Sequence, residues 1–404
     1  MTMKVAVIGG GIGGLCLAQG LKKEGIDVTV YERDRSRTDR LQGYRIHINP
    51  HGAQALEECL PPEAWEKFKA SCGTGGNGFG FLDDQLRELL VLDPDPHHTH
   101  YSASRISLRQ VLLHGLEEIE FDKRFERYEQ NGDHITLHFT DGTTATCDVL
   151  VGADGANSAV RGQYLPHAER VDTGITAVAG KLFLDEDDDV RTWIPEKLAV
   201  RANSVIGPKD CGMFFAMHDG LGVTEADGAL FDNTRPYLMW SYAAKDLEVH
   251  NGHDLREQIA RRIRNWHPVY ERIVRESHEE ATSLWPIRTS VPVAPWAPSR
   301  VTLLGDAIHS MTPMRGIGAN TALRDARHLY LALTRKDCDV VHAIGGYEER
   351  MREYGFAAVR DSLRSARQFA EGGAAARTMF KTVLRVVGAV PPVKRAMFRD
   401  HGVD

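Results

Sequence analysis

Hydrophobic and polar positions along this chain follow two periods, and the places where one gives way to the other mark its elements. Lys4-Val5-Ala6-Val7-Ile8 is a short apolar run of the kind a buried parallel strand shows. Beyond a glycine-rich turn, the apolar positions Leu15, Ala18 and Leu21 follow helical spacing until Gly25, and Asp27-Val28-Thr29-Val30-Tyr31-Glu32 predicts the next strand. The same order recurs at 301–333. Val301-Thr302-Leu303-Leu304 runs as a strand into Gly305-Asp306, and a helix opens at 316–320 and continues through Ala322, Leu323, Ala326, Leu329 and Leu333.

Between these two stretches, 43–48 alternates as a strand and 50–59 predicts a short helix. A further helix starts at Arg105 and runs through Val111, Leu112 and Leu116. A hairpin around Asp141-Gly142 leads into a third apolar strand that ends in Gly152-Ala153-Asp154-Gly155. The glycines at 73, 75, 76, 78 and 80 are not followed by Lys-Ser/Thr and a helix, so they predict a flexible connection and not a phosphate loop. From 175 to 284 the texture changes to strand-like runs at 176–184, 213–217 and 237–242. The acidic run 185–189 reads as a solvated loop, and a helix at 255–265 is stopped by Trp266-His267-Pro268.

This predicts an α/β fold with a Rossmann-like domain at 1–174 and 285–335, an inserted mostly β substrate domain at 175–284, and a helical C-terminal region at 336–404. Residues 372–404 carry six Lys/Arg against two Asp, which suits either a helix packed on the body or one lying on a membrane surface; packing is the expected arrangement.

Composition narrows the class. A length of 404 residues calls for two domains or one elaborated one, and 42% hydrophobic with 26% charged residues is ordinary for a globular enzyme. A formal net charge of −7 argues against nucleic acid as a partner. The six cysteines are scattered without CxxC or neighbouring histidines, so neither a metal site nor a disulfide framework is expected, and a cytoplasmic setting fits best. Neither a secretory leader nor an apolar run of transmembrane length is apparent.

The chemistry lies at the strand ends. Gly9, Gly11 and Gly14 form GxGxxG between a strand and a helix, and Glu32 follows the last glycine by 18 residues. The first glycine makes the turn, the second lets a pyrophosphate approach the backbone, the third lets helix and strand pack closely, and the acid holds ribose hydroxyls. Asp154, with Ser158 and Arg161 after it, repeats the pattern of an acid at a strand end, either for cofactor contact or as a salt-bridged turn. At 305–320 a carboxylate, a glycine-bearing loop and a helix N-terminus come together. That suits sugar-like hydroxyls and an electron-rich carbonyl, although taken alone it also reads as an ordinary strand–turn–helix connection.

The three motifs, in this order and spacing, resemble the single-component FAD-dependent aromatic monooxygenases, the para-hydroxybenzoate hydroxylase-like family, over essentially the whole chain. The resemblance implies FAD, NADH or NADPH as co-substrate, O2, and an electron-rich aromatic or polycyclic small molecule that is hydroxylated or epoxidised through a flavin C(4a)-hydroperoxide. A monomer or homodimer is expected. Gly9, Gly11, Ile12 and Gly14 would face the pyrophosphate, with Glu32 and Arg33 at the adenosine end. Arg105 and Asp154 would contact the cofactor, and Asp306 the ribityl chain. The amides of Gly316, Gly318, Ala319 and Asn320 would meet the flavin's pyrimidine edge. Pro313 and Arg45 would lie near its reactive part. His47 is a candidate acid–base group, as are His218, Tyr242 and Arg191 by location. Many relatives carry glutamine where this chain has Ile317, a departure that bears on polarity at the flavin edge. The same fold also supports reductases and halogenases; of the WxWxIP segment of halogenases only Trp193-Ile194-Pro195 is present. A non-catalytic binding protein with a vestigial flavin site would not need the glycines and acids that all three motifs keep.

Overall fold

The computed structural model describes residues 3–37, 44–73, 78–93, 99–184, 190–218, 235–249, 254–370 and 373–390. Gly43, Gly75, Gly76, the acidic run 185–189 and the tail beyond 390 lie outside the described residues. Five parallel strands form the first sheet, in the order Val301–Leu303, Val149–Gly152, Lys4–Ile8, Asp27–Tyr31, Ile119–Glu120. Val5, Val7, Val149, Leu150, Val151, Val301 and Leu303 are fully buried in it, which is why these strands read as continuous apolar runs and not as alternating ones. The three strand ends that carry the motifs are neighbours: Ile8 pairs with Gly152, and Gly152 with Leu303. Motifs far apart in the chain therefore open on one edge of one sheet.

The second sheet has seven strands, in the order Ser283–Ser290, Arg170–Phe183, Tyr237–Lys245, Cys211–His218, Ala202–Ile206, Phe79–Asp83, Glu88–Leu92. The last two come from a part of the chain where the glycine pattern suggested only a connection. Gly78 at φ +82° immediately precedes the strand, and a Cβ at Gly80 would lie 2.1 Å from the Asn203 side-chain oxygen. These glycines permit close strand pairing, so the alternation that marks a strand is hidden.

One face of this sheet, with Val178, Leu182, Met213, Phe215, Trp240 and Tyr242, packs against the helices Leu255–Arg262 and Pro268–Glu276. The opposite face looks toward the layer of the first sheet, and Tyr44 donates to the Ala179 carbonyl there at 3.3 Å. That near face is covered at one end by the helix Val340–Ala370, whose Ala366 and Ala370 sit on Ile175, Ala177 and Ala243. Along its edge the helix Gly373–Ala389 lays Leu384 and Val387 on Leu90 and Ile206. No described helix is long and apolar enough to cross a membrane.

Candidate functional site

The first glycine turn has the conformations its chemistry requires. Gly9 lies at φ +111°, where a Cβ would sit 2.4 Å from the Ala153 carbonyl oxygen, and a Cβ at Gly14 would meet the Gly9 carbonyl oxygen at 2.3 Å. At Gly11, in contrast, a Cβ would meet nothing within 4 Å: the space beside it is open. Ile12 begins the helix Ile12–Lys23 that follows. Glu32 is buried, and its carboxylate accepts from the amides of Gly10 at 2.6 Å and Asp34 at 2.9 Å, so it braces the turn as well as closing its far side. Arg33 lines a polar cavity of about 620 Å³ with Asp34, Arg35, Asp122, Arg124, Thr140 and Asp141.

Arg105 is exposed at the first position of the helix Arg105–Leu113. One turn on, Arg109 donates to the carbonyls of Gly10 at 3.2 Å and Arg37 at 3.0 Å, locking the glycine turn to the loop after Glu32. Sequence reasoning missed Arg109, although its spacing of four from Arg105 places both on one helix face.

The second motif is anchored by Asp154, which caps the helix Ala159–Tyr164 through the amides of Ala159 and Val160, at 2.7 and 3.3 Å. Its other oxygen, Oδ1, is buried without a hydrogen-bond partner. Arg161 spans to the third motif, donating to the Ala307 carbonyl at 2.7 Å and the Ala156 carbonyl at 3.1 Å.

In the third motif, Gly305 turns at φ 61°, ψ −142°, and exposed Asp306 opens the four-residue helix Asp306–His309. The helix expected from 316 starts at Gly318, after a 3-10 turn Pro313–Arg315 and Gly316 at φ +65°. The amides of Gly318, Ala319 and Asn320 have no acceptor within their helix. The Asn320 side chain is engaged elsewhere: Oδ1 accepts from the Asn49 amide at 2.8 Å, and Nδ2 donates to the His47 carbonyl at 2.8 Å. It holds the strand Arg45–Ile48 beside the helix start.

Beneath this motif lies a buried network. Asp325, fully buried on the helix Gly318–Leu333, accepts from the Gly305 amide at 2.7 Å, from Tyr354 Oη at 2.6 Å, and is hydrogen-bonded to His309 Nε2 at 2.6 Å. Burial opposes a charge on His309, but Asp325 beside it outweighs that and holds the imidazole above its ordinary value. The signal in the sequence was a lone carboxylate between the core positions Leu323 and Ala326.

Arg45 and His47 project from the same face of their strand. Arg45 Nε donates to Ser102 Oγ. The His47 ring stacks on that of His100, and their nitrogens lie 3.0 Å apart. Burial, with His100 and Arg45 nearby, pulls His47 down to about 4, so its ring is neutral at pH 7. Pro313 is exposed, and the adjacent Met314 packs on the Ile175 and Ala177 end of the near face. The 3-10 turn thus lies between the helix Gly318–Leu333 and the seven-stranded sheet.

On that near face, half-buried Phe79 and Phe214 stack with ring centres 6.3 Å apart, and Phe214 is paired with Ser241. Lys181 lies 4.5 Å from the Tyr237 ring and 5.2 Å from the Tyr44 ring, and burial lowers its amine to about 8. His218 is buried beside Tyr237 on the same face. Tyr242 is not there. Its side chain is on the far face beside Trp266, because strand alternation turns it away from the cofactor layer. Arg191 is exposed in the short helix Val190–Trp193.

FAD fits what these residues leave open. There is room at Gly11, an unpartnered buried oxygen on Asp154, an exposed carboxylate at Asp306 and a row of free amides at 318–320.

A family model for the FAD binding domain matches residues 103–337, over half of the chain, and one for the NAD(P)-binding Rossmann-like domain matches residues 7–68. Among solved structures, one described as an FAD-containing monooxygenase from Photorhabdus luminescens is 38% identical with a TM-score of 0.82, over 91% of this chain and 99% of that one. The FAD-dependent urate hydroxylase of Klebsiella pneumoniae is 29% identical over 91% of this chain and 89% of its own length. The dual O-methyltransferase/FAD-dependent monooxygenase elcB of Phaeosphaeria nodorum is 28% identical over 85% of this chain; the match spans 42% of that longer protein. With three motifs on one sheet edge, the room they leave for FAD and these matches, the chain belongs to the family of FAD-dependent monooxygenases.

Proposed function

We propose that this protein uses FAD, NADH or NADPH and O2 to hydroxylate or epoxidise an electron-rich aromatic or polycyclic small molecule. The observation that carries the reading is the facing of two surfaces. The stacked, half-buried rings of Phe79 and Phe214 lie on the near face of the substrate sheet, and Met314 of the Pro313 turn, which leads into the Gly318 helix start, packs on that same face at Ile175 and Ala177. A flat apolar substrate stacks on such rings. In this reading the cofactor layer is 1–174 with 285–335, the substrate layer is 175–284 joined by the strands Phe79–Asp83 and Glu88–Leu92, and the C-terminal helical region 336–404 joins the two through its helix Val340–Ala370.

FAD held by these residues would supply the activation of O2. The chain's own residues do the rest. Gly9, Gly11 and Gly14 shape a backbone cradle for the pyrophosphate, and Glu32, Arg33 and Arg105 flank it. Asp154 and Asp306 accept from cofactor hydroxyls. The amides of Gly318, Ala319 and Asn320 direct partial positive charge at the flavin's pyrimidine edge, favouring its negatively charged form. Pro313 walls the site, Arg45 borders it, and neutral His47 can accept a proton from a substrate hydroxyl.

The test is NAD(P)H oxidation by the FAD-loaded protein across phenolic, indolic and polyketide panels under ¹⁸O2, with product mass analysis. Substrate-stimulated oxidation with one labelled oxygen atom in the product is expected. Product formed without O2 would replace the reading with a reductase.

A further inference from the structure

Asp306 is exposed, on a glycine turn and a helix of only four residues, elements that do not hold a side chain rigidly by themselves. What holds them comes from below. Asp325 bonds to the residue immediately before Asp306, through the Gly305 amide at 2.7 Å, and to the residue three after it, through His309 Nε2 at 2.6 Å. One carboxylate thus brackets Asp306 on both sides. Tyr354, reaching in from the helix Val340–Ala370, takes the other oxygen at 2.6 Å and fixes the rotation of the group. Gly355 makes room for the arrangement, since a Cβ there would lie 2.7 Å from His309 Cδ2.

The chemistry exceeds what turn closure requires. A neutral Ser or Asn closes such a turn. A carboxylate and an imidazole taken fully out of water carry a desolvation penalty, and a buried ionic group is weak as a source of stability compared with well-packed apolar residues. What the pair provides is a defined geometry, from three directed hydrogen bonds on a single group.

We propose that Asp325, with His309 and Tyr354, is a positioning residue of the cofactor site. It does not touch FAD, and it acts by fixing Asp306 where the ribityl hydroxyls need an acceptor. The proposal rests on the assignment of Asp306 to FAD.

The experiment is a double-mutant cycle in FAD affinity, measured by quenching of FAD fluorescence on titration with apoprotein, alongside the thermal midpoint of each apoprotein. Asp306→Ala is expected to weaken FAD about tenfold or more. Asp325→Asn should weaken it by a similar factor, with the apoprotein midpoint close to that of the parent, and the double variant should be no weaker than Asp306→Ala alone. Factors that multiply, or a loss of affinity that only follows a loss of apoprotein stability, would overturn the proposal. If Asp306→Ala binds FAD like the parent, the assignment of Asp306 fails first. Should Asp325→Asn not fold, Tyr354→Phe takes its place in the same cycle. It keeps the bonds to Gly305 and His309, and an effect of a few-fold that disappears in the Asp306→Ala background is expected; an effect that persists there overturns the proposal.

Discussion

Two glycines three residues apart separate binding from folding. A side chain at Gly11 would meet nothing within 4 Å, whereas one at Gly14 would meet backbone at 2.3 Å. Gly11→Val is therefore expected to leave the thermal midpoint of the apoprotein nearly unchanged and to abolish FAD uptake. Gly14→Ala should lower the midpoint, by overpacking that costs about 1–3 kcal/mol. Flavin content and thermal melts of both purified variants check the pair. Glu348 gives the fold a pH dependence. It is buried with one oxygen accepting from Thr302 at 2.8 Å, and burial raises its carboxyl from 4.5 to about 7. Between those values the folded chain holds a proton that the unfolded chain has released, so stability falls as pH rises through that window. The full effect is about 3 kcal/mol, complete above pH 7. Glu348→Gln should remove this slope, leaving a variant more stable than the parent at pH 8 and little different at pH 4.5, as read from thermal midpoints across pH.

The element that most affects site geometry is the helix Gly318–Leu333, and it is held through Asn320. Asn320→Ala strands the Asn49 amide and the His47 carbonyl. The expected loss is about 2 kcal/mol, from unsatisfied buried groups. It should come with a shift in the absorption spectrum of bound flavin, since the strand that carries Arg45 and His47 then loses its tie to the helix start. Elements of this kind were legible in the sequence where local periodicity and local contacts agree: the strands Lys4–Ile8, Asp27–Tyr31 and Val301–Leu303, and the helices after them. The strand Phe79–Asp83 was not, because its Gly80 serves pairing with the distant Asn203, and Glu88–Leu92, a short apolar run, has its place only as the partner of that strand. Asp325 was not legible either, for its three partners lie 16 to 29 residues away along the chain and meet only in three dimensions. Tyr242 misled for a simpler reason: a strand's two faces differ by one residue, and the sequence does not say which face meets the cofactor.

Across the whole molecule, the helix Val340–Ala370 is the strut between the two layers. Its Tyr347 donates to the Leu303 carbonyl at 2.9 Å at the cofactor end, and its Ala366 is fully buried against Ile175, Ala177 and Ala243 at the substrate end. Ala366→Leu is expected to cost about 1–3 kcal/mol by overpacking. By pushing the sheet off the Met314 turn it should raise KM for substrate several-fold while FAD content per chain stays at the parent level. Loss of FAD instead would mean that the strut serves the cofactor layer first.

The order of strands in the two sheets also bears on how the chain is made. Phe79–Asp83 emerges from the ribosome well before its parallel partner Ala202–Ile206, and Val301–Leu303, which completes the first sheet's edge, comes later still. Neither layer can close on a partial chain, and such long-range pairing is slow to form. The last strand to arrive is also the one that delivers Asp306. If Asp306 is the ribityl anchor proposed above, a nascent chain lacks that anchor until both sheets can be completed, and FAD binding would then favour finished molecules over the pool exposed to chaperones and proteases.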